Sequence, residues 1–165
     1  MKEFITNNMQ QEKAYELIAH TNTSLFLTGK AGTGKTTFLK KVQEEVDKKF
    51  VVLAPTGIAA INAGGETIHS FFGLPTGVLT PLTAGSTNQE KVRLIRSIDT
   101  IIIDEVSMVR CDTIDAIDYT LRRVCCSPFP FGGKQIIFVG DMFQLPPVVT
   151  DSDREIMKDI YEESN

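Results

Sequence analysis

The sequence predicts an α/β fold in which a parallel sheet has helices on both of its faces. Four short apolar segments lack the alternation of polar and apolar residues that a solvent-exposed strand shows, and segments with helical spacing separate them. A length of 165 residues and a hydrophobic share of 42% suit one domain with a substantial core. Polar or glycine-rich turns follow the apolar segments, at the strand ends where ligands bind in such sheets.

The first part of the chain predicts two helices and two strands. Residues 10–20 carry apolar side chains on one helical face, which favours an amphipathic helix. The run SLFLT at 24–28 predicts a strand that ends in a glycine-rich turn, and residues 36–47 continue as a helix. The run FVVLA at 50–54 predicts the second strand, which ends at Pro55 because proline cannot donate to a sheet.

The middle of the chain predicts helices and a loop. Residues 57–72 predict short helices that break at Gly64 and Gly65. Segment 73–88 is rich in Gly, Pro, Thr and Ser and has no periodicity, which predicts a long surface loop. Residues 89–97 return to helical spacing.

The last part of the chain predicts two further strands. The run TIIID at 100–104 predicts a fully buried strand that ends in acidic residues. Apolar residues at helical spacing predict a helix over 112–124, and QIIFV at 135–139 predicts the fourth strand. Residues 152–163 predict a polar final helix, and the chain contains no internal repeat.

The composition excludes several classes of protein. The chain contains no stretch of 18 apolar residues, so the sequence predicts no membrane span. The amino terminus also lacks the apolar run of a secretory signal. We therefore expect a cytosolic protein. The net charge of −4 excludes a simple polybasic nucleic-acid binder, although it leaves room for a local binding groove. Three cysteines without a CxxC pair exclude a zinc ribbon and a disulfide scaffold.

Residues 29–36 read GKAGTGKT and match the phosphate-loop pattern GxxxxGK[ST] between a predicted strand and a predicted helix. The glycines let the backbone wrap closely around phosphate oxygens, and the helix start presents free N–H groups to them. Lys35 would reach the β- and γ-phosphates, and the Thr36 hydroxyl would take one site on magnesium. The predicted nucleotide-binding residues here are Gly29, Ala31, Gly32, Thr33, Gly34, Lys35, Thr36 and Thr37.

Asp104 and Glu105 form an acid pair at the end of the third predicted strand. Asp104 would hold magnesium, directly or through water, and Glu105 would orient or deprotonate the attacking water. The pattern Asp-x-x-Gly does not follow this strand and Asn-Lys-x-Asp is absent, so guanine-specific switch chemistry is not supported. The acid pair favours hydrolysis over group transfer.

Gln144 lies in the sequence GDMFQLPP, which follows the fourth predicted strand at residues 140–147. Its amide could hydrogen-bond a γ-phosphate or the water that attacks it. The same sequence also suits a tight turn without a function, and the two prolines would stiffen its exit.

The chain resembles the first RecA-like domain of superfamily 1B (RecD-like) DNA helicases, specifically the Pif-type group. That domain is a P-loop NTPase with a RecA-like parallel sheet. The segments that carry the resemblance cover most of the chain: GKAGTGKTT (29–37), APTGIAAINAGGETIHSFFG (54–73), IIIDEVSMV (101–109), DTIDAIDYTLRRV (112–124) and PFGGKQIIFVGDMFQLPPV (130–148).

The resemblance implies that residues 1–150 form an ATP-binding helicase domain and that 151–165 form a polar helix at the start of a continuation. It implies ATP and Mg²⁺ as cofactors, 5′-to-3′ translocation on single-stranded DNA and unwinding of tailed duplex DNA, in repair, recombination or replication. We expect a monomer, associated with the nucleoid in a bacterium, or nuclear or mitochondrial in a eukaryote. Nothing after Thr150 matches the family's second RecA-like domain, so we expect a fragment or a degraded copy.

The resemblance also implies contacts to adenine and to DNA. An adenine-reading glutamine corresponds to Gln11 or Gln10, with Gln11 preferred. Hydroxyl, amide and imidazole groups with exposed backbone N–H groups can hold a DNA backbone without demanding a base sequence. The implied DNA-binding residues are Thr56, Gly57, Asn62, Gly65, Thr67, His69 and Ser70.

Two other functions compete with a helicase motor. A small-molecule P-loop kinase would need an acceptor pocket and a lid of arginines, for which Arg110, Arg122 and Arg123 are poor candidates. A nucleotide-dependent DNA-binding or partner-binding module without catalysis would keep the phosphate loop but not turnover.

Overall fold

The computed structural model of the chain describes residues 8–30, 32–80 and 88–162, which include one sheet of five strands. The strands are β1 (Leu25–Thr28), β2 (Phe50–Ala54), β3 (Glu66–Thr67), β4 (Thr100–Ile103) and β5 (Gln135–Gly140). Their order in the sheet is β1-β5-β4-β2-β3, and every pair is parallel. The predicted parallel sheet is therefore confirmed.

Seven α-helices in the described residues connect or flank the strands. They are α1 (Met9–His20), α2 (Lys35–Glu45), α3 (Gly57–Ala63), α4 (Ile68–Phe72), α5 (Gln89–Ser97), α6 (Cys111–Cys125) and α7 (Asp151–Glu162). Short 3₁₀ turns occupy Val106–Met108 and Pro130–Gly133. None of the helices in the described ranges is both long and apolar enough to cross a lipid bilayer.

The predicted loop at 73–88 falls partly on residues 81–87, which lie outside the described residues. Its described part, 74–80, contains neither helix nor strand. The predicted final helix corresponds to α7, and position 163 lies outside the described residues.

Strand β3 is the element that the apolar pattern does not predict. It pairs in parallel with β2 through Leu53 opposite Glu66 and Ala54 opposite Thr67. A two-residue strand with polar side chains is too short to show a strand period. Gly65, at the break between the predicted short helices, brings the chain against β2, since a Cβ there would lie 2.1 Å from the carbonyl oxygen of Val52.

Two apolar cores lie on the two faces of the sheet, as predicted. Ile101 and Ile103 belong to the core formed with α4, α5 and α6, whereas Ile102 belongs to the core formed with α1 and α2. All residues of β4 are buried, which explains why this strand shows no alternation of polar and apolar side chains.

A polar network anchors the last turn of α1 at the amino-terminal edge of the sheet. Lys48 Nζ donates to the carbonyl oxygens of Ile18 and Thr21, both at 2.6 Å, and to Gln135 Oε1 at 3.1 Å. Gln135 Nε2 donates to the Thr23 carbonyl oxygen at 2.9 Å. Burial lowers the pKa of Lys48. Carbonyl groups that the helix end leaves unpaired are satisfied in this way.

Arg110 and Asp112 join three segments on the other side of the molecule. Arg110 forms an ion pair with Asp112 and a second one with Asp153 of α7, at 3.0 Å. Its guanidinium also donates to the Gly77 carbonyl oxygen, and Asp112 Oδ2 accepts the backbone N–H of Leu79 at 2.8 Å. This ion-pair cluster fixes α7 and the segment after α4 against the start of α6.

We expect Asp112→Asn to lower the free energy of unfolding by about 1–3 kcal/mol at neutral pH, because the fully buried carboxylate would lose its charge-assisted bonds. Burial alone would raise the pKa of Asp112, but the Arg110 guanidinium and the N–H groups of Leu79 and Thr113 hold the pKa below its usual value. The stabilisation is therefore present above the pKa of the unfolded state and is lost as pH falls through the folded one.

Urea unfolding measured between pH 3 and pH 7 checks this expectation. The acid limb of the stability profile should be shallower in Asp112→Asn than in the original chain. Asp159→Asn, which removes an exposed carboxylate from α7, is the matched control. Equal stability losses in the two variants would show that the buried carboxylate of Asp112 stabilises the fold no more than an exposed carboxylate does.

Candidate functional site

The predicted site residues gather at the carboxyl-terminal edge of the sheet. The five strands are parallel, so the loops that follow them all emerge at this edge. The phosphate loop follows β1, the segment that begins at Thr56 follows β2, the acid pair follows β4, and Gln144 lies in the loop after β5. Four segments that are far apart in sequence thus become neighbours in space.

The phosphate loop joins β1 to α2 as predicted. Gly32 and Gly34 have φ angles of 77° and 83°, in the left-handed region that favours glycine, and Gly34 is the N-cap of α2. Lys35 Nζ donates to the carbonyl oxygens of Gly29 at 2.5 Å and Lys30 at 3.1 Å, so the ammonium group bridges the loop.

The other predicted residues of this loop differ in their placement. Thr33 Oγ donates to the Lys30 carbonyl oxygen at 2.8 Å, which ties the turn together. Thr36 and Thr37 occupy the first turn of α2 and are exposed. Ala31 lies outside the described residues.

The acid pair follows the buried centre of the sheet. The Asp104 backbone N–H continues the pairing with β2 through the Leu53 carbonyl oxygen, at 2.8 Å, and Asp104 Oδ1 accepts the Glu105 N–H at 2.9 Å. Glu105 has φ 51° and ψ 41°, a left-handed conformation that costs a residue with a Cβ atom about 1–2 kcal/mol. The strained backbone conformation therefore lies at the residue that is predicted to activate water.

Asp141 orients Gln144, which we call the sensor because its amide is predicted to hydrogen-bond the γ-phosphate or the attacking water. Asp141 Oδ1 accepts the Phe143 N–H and its Oδ2 accepts Gln144 Nε2, each at 3.1 Å. These two hydrogen bonds, with the charges of Lys35 and Lys30, hold the pKa of Asp141 below its usual value. The sequence analysis assigns no function to Asp141. Aspartate side chains often accept a hydrogen bond from the backbone N–H two residues later in a turn, and this signal could have identified it.

One cleft, of about 430 Å³, brings the acid pair, the metal-site threonine and the sensor together. Its lining includes Thr36, Asp104, Glu105 and Gln144. Thr36 and Asp104 supply the oxygen donors that Mg²⁺ takes in nucleotide sites, where one or two protein oxygens join phosphates and waters. The donor set of this cleft therefore fits magnesium.

A second cavity, of about 530 Å³, lies on the other side of the phosphate loop. Gln10 and Gln11 both line it, together with Gly29 and Lys35. Gln11 is half-buried, whereas Gln10 is exposed. The cavity can hold a group attached to a bound phosphate chain, and both glutamines lie where they could contact such a group.

The structure brings two of the seven residues with implied DNA contacts to the cleft. Thr56 and Asn62 line it, and Asn62 is exposed. Thr56 is also the N-cap of α3, where its Oγ accepts the Ala59 N–H at 3.2 Å. Gly57 is the first residue of α3, with open space around its Cα.

The other four of these residues lie farther along the chain and do not line the cleft. Thr67 is the N-cap of α4 and accepts the Ser70 N–H at 3.3 Å, while Ser70 Oγ donates to a Glu66 carboxylate oxygen at 2.5 Å. His69 is half-buried. The contact of Gly65 with the Val52 carbonyl explains its lack of a side chain by packing alone.

Apolar side chains form an exposed rim that the sequence alone does not single out. Ile58 and Leu145 line the cleft although they are 77% and 68% exposed, and Phe143 is fully exposed. Their apolar character predicts burial from sequence, whereas the structure places them at the surface.

The chain is similar to proteins of one family across nearly its whole length. A family model described as PIF1-like helicase matches residues 6–164. The chain is 34% identical over 162 residues to the ATP-dependent DNA helicase RRM3 of Saccharomyces cerevisiae, covering 93% of this chain and 22% of that protein. It is 35% identical over 150 residues to the ATP-dependent DNA helicase Pif1 of Bdellovibrio bacteriovorus, covering 88% and 34%.

Solved structures agree with the sequence comparison. Bacteroides Pif1 bound to single-stranded DNA superimposes with a TM-score of 0.88 and 48% identity, covering 96% of this chain and 37% of that one. Bacteroides Pif1 in complex with ADP-AlF4 gives a TM-score of 0.89 and 48% identity, with the same coverage. The chain thus spans between about a fifth and two fifths of these relatives, and the RecA-like P-loop fold predicted from sequence is confirmed.

Proposed function

Because the chain belongs to the PIF1-like helicase family, we propose that it is the ATP-binding motor domain of an ATP-dependent DNA helicase. The observation that carries the proposal is the cleft in which Thr36, Asp104, Glu105 and Gln144 converge beside the phosphate loop. The family membership also favours this function over a small-molecule kinase.

The phosphate loop and Lys35 would hold the nucleotide. Lys35 Nζ already sits over the loop on two carbonyl oxygens, and phosphate oxygens would replace these as partners. Thr36 and Asp104 would hold magnesium, which neutralises charge on the β- and γ-phosphoryl oxygens when it is bound. Gln11, or Gln10, would contact the adenine from the second cavity.

Glu105 and Gln144 would act at the terminal phosphate. The Glu105 carboxylate would orient the attacking water and accept its proton. Gln144 would hydrogen-bond the terminal phosphoryl group, and Asp141 would keep its amide in the required orientation. A noncatalytic nucleotide-binding module would have no need for this carboxylate in a left-handed backbone position.

Single-stranded DNA would lie along the segment that begins at Thr56. Thr56 and Asn62 line the cleft together with the acid pair. A strand bound to these two residues would therefore contact the wall of the nucleotide cleft. We extend the proposal to 5′-to-3′ translocation and to unwinding of tailed duplex DNA during repair, recombination or replication. The support is the family membership and the relatives described as DNA helicases or as bound to single-stranded DNA.

Tested by itself, the 165-residue chain should bind ATP in the presence of magnesium, hydrolyse it very slowly and separate no strands. An arginine finger from a facing domain typically supplies a factor of about 10³–10⁵ in phosphoryl transfer. Arg110, which follows the acid pair, is instead paired with Asp112 and Asp153. One domain can bind and release a strand but cannot step along it.

Calorimetry with ATP and a strand-separation assay on a 5′-tailed duplex check this expectation. Affinity for single-stranded DNA should be weak and should fall with salt, because one domain supplies only part of a binding groove. A chain that bound no ATP would refute the motor-domain proposal. ATP-dependent strand separation would refute the requirement for a second domain.

A further inference from the structure

Ser107 is a buried residue whose hydroxyl group has no hydrogen-bond partner among the described residues. It is 5% exposed and lies in the 3₁₀ turn that directly follows the acid pair. Buried hydroxyl groups are normally paired, because an unpaired one costs about 1–3 kcal/mol in desolvation. Within the part of the chain that the structure describes, Ser107 is therefore an exception to this rule.

Thr120 shows that an unpaired hydroxyl does not by itself mark a site. It is fully buried in α6, and its hydroxyl also lacks a partner among the described residues. Ser107 differs because it lines the cleft that contains Glu105 and Gln144, whereas Thr120 does not. Ser107 is thus an unpaired donor in a residue that lines the cleft, and a ligand in the cleft can supply its partner.

The position of Ser107 also relates it to both catalytic loops. A Cβ atom at Gly140 would lie 3.3 Å from the Ser107 backbone nitrogen, so the turn after β4 packs against the end of β5. The acid pair precedes Ser107 in the chain, and the loop that carries Gln144 starts beside it. Ser107 thus lies where the turn after the acid pair contacts the start of the loop that carries Gln144. These two loops flank the terminal phosphate in the proposed function.

We propose that Ser107 is a further residue of the nucleotide site, whose hydroxyl donates a hydrogen bond to an oxygen of the terminal phosphoryl group. This inference rests on the proposed function, since it requires a nucleotide in the cleft. Negative charge spreads over the phosphoryl oxygens in the transition state, so the bond is stronger there than in the ground state. ADP lacks the γ-phosphoryl group that would accept this bond.

The test compares the binding of ADP with that of ADP plus aluminium fluoride, which mimics the transferring phosphoryl group. Calorimetry with the 165-residue chain and magnesium gives both affinities without requiring turnover. Ser107→Ala should leave ADP affinity unchanged and weaken ADP–aluminium fluoride affinity about tenfold, the effect of one hydrogen bond to a charged group. Thr120→Val is the matched control, and it should change neither affinity.

Thermal unfolding completes the comparison. Both variants should keep or raise the unfolding midpoint, because each removes a buried unpaired hydroxyl. Should Ser107→Ala be unstable, Ser107→Cys keeps the volume with a much weaker donor and should give the same loss. A Ser107→Ala variant that loses neither affinity, or both equally, would overturn the inference alone. An original chain that binds no ADP would overturn the proposed function and the inference together.

Discussion

Replacing Lys35 with alanine should weaken magnesium-dependent binding of ATP and ADP by roughly 2–4 kcal/mol, or about 30- to 1,000-fold in affinity. The ammonium group bridges the Gly29 and Lys30 carbonyl oxygens, so it already lies where the phosphates would enter. The Lys30 side chain belongs to the same loop but is exposed. The loss of Lys35 would remove the ammonium group nearest to the phosphates and leave them to the backbone N–H groups and hydroxyl groups of the loop.

Lys30→Ala is the matched control, because it removes the same charge from an exposed side chain of the same loop. Calorimetric titration with ATP and ADP should show little change in this control. The unfolding midpoint of each variant should be measured as well, since Lys35 also ties the loop together. An affinity in Lys35→Ala equal to that of the original chain would exclude the loop as the nucleotide site.

Replacing Glu105 with glutamine should leave ATP binding nearly intact and slow turnover by about 10²–10⁴-fold, the range of general base catalysis. Asp104 and Thr36 would still provide the oxygen donors for magnesium, so the nucleotide should stay in place. Glutamine has the same backbone preferences as glutamate, so the left-handed conformation at this position is not a new source of change. The substitution therefore isolates the carboxylate.

Steady-state hydrolysis by the full-length protein with single-stranded DNA, and ATP affinity measured in parallel, check this expectation. Glu90→Gln, on the exposed surface of α5, is a control for the loss of one negative charge. Turnover near that of the original protein in Glu105→Gln would show that another group activates the water.

The phosphate loop and the acid pair could be predicted from sequence because each is determined by contiguous residues. Gly32, Gly34 and Lys35 act through the local backbone path, and Asp104 follows a run of isoleucines that only a buried strand explains. The roles of Asp141 and Ser107 depend on neighbours brought together by the sheet. No periodicity or spacing in the sequence records such neighbours.

The segment after β2 shows a different limit. Its threonines, glycines and serine are predicted to contact DNA. In the structure, several of these residues have a role in stabilising the fold. Thr56 and Thr67 cap helices, and Gly65 allows a close approach to β2. Sequence patterns do not separate these two uses, because capping a helix and donating to a phosphate require the same small polar side chains.

The strand order also arranges the functional loops as a line of nearest neighbours. Adjacent strands are about 4.8 Å apart, so the roots of the phosphate loop on β1 and the Thr56 segment on β2 are separated by three spacings, about 14 Å. Between them come the Gln144 loop on β5 and then the acid pair on β4. Among these functional loops, the one that carries the acid pair is therefore rooted nearest to the Thr56 segment, the Gln144 loop comes next and the phosphate loop is rooted farthest away.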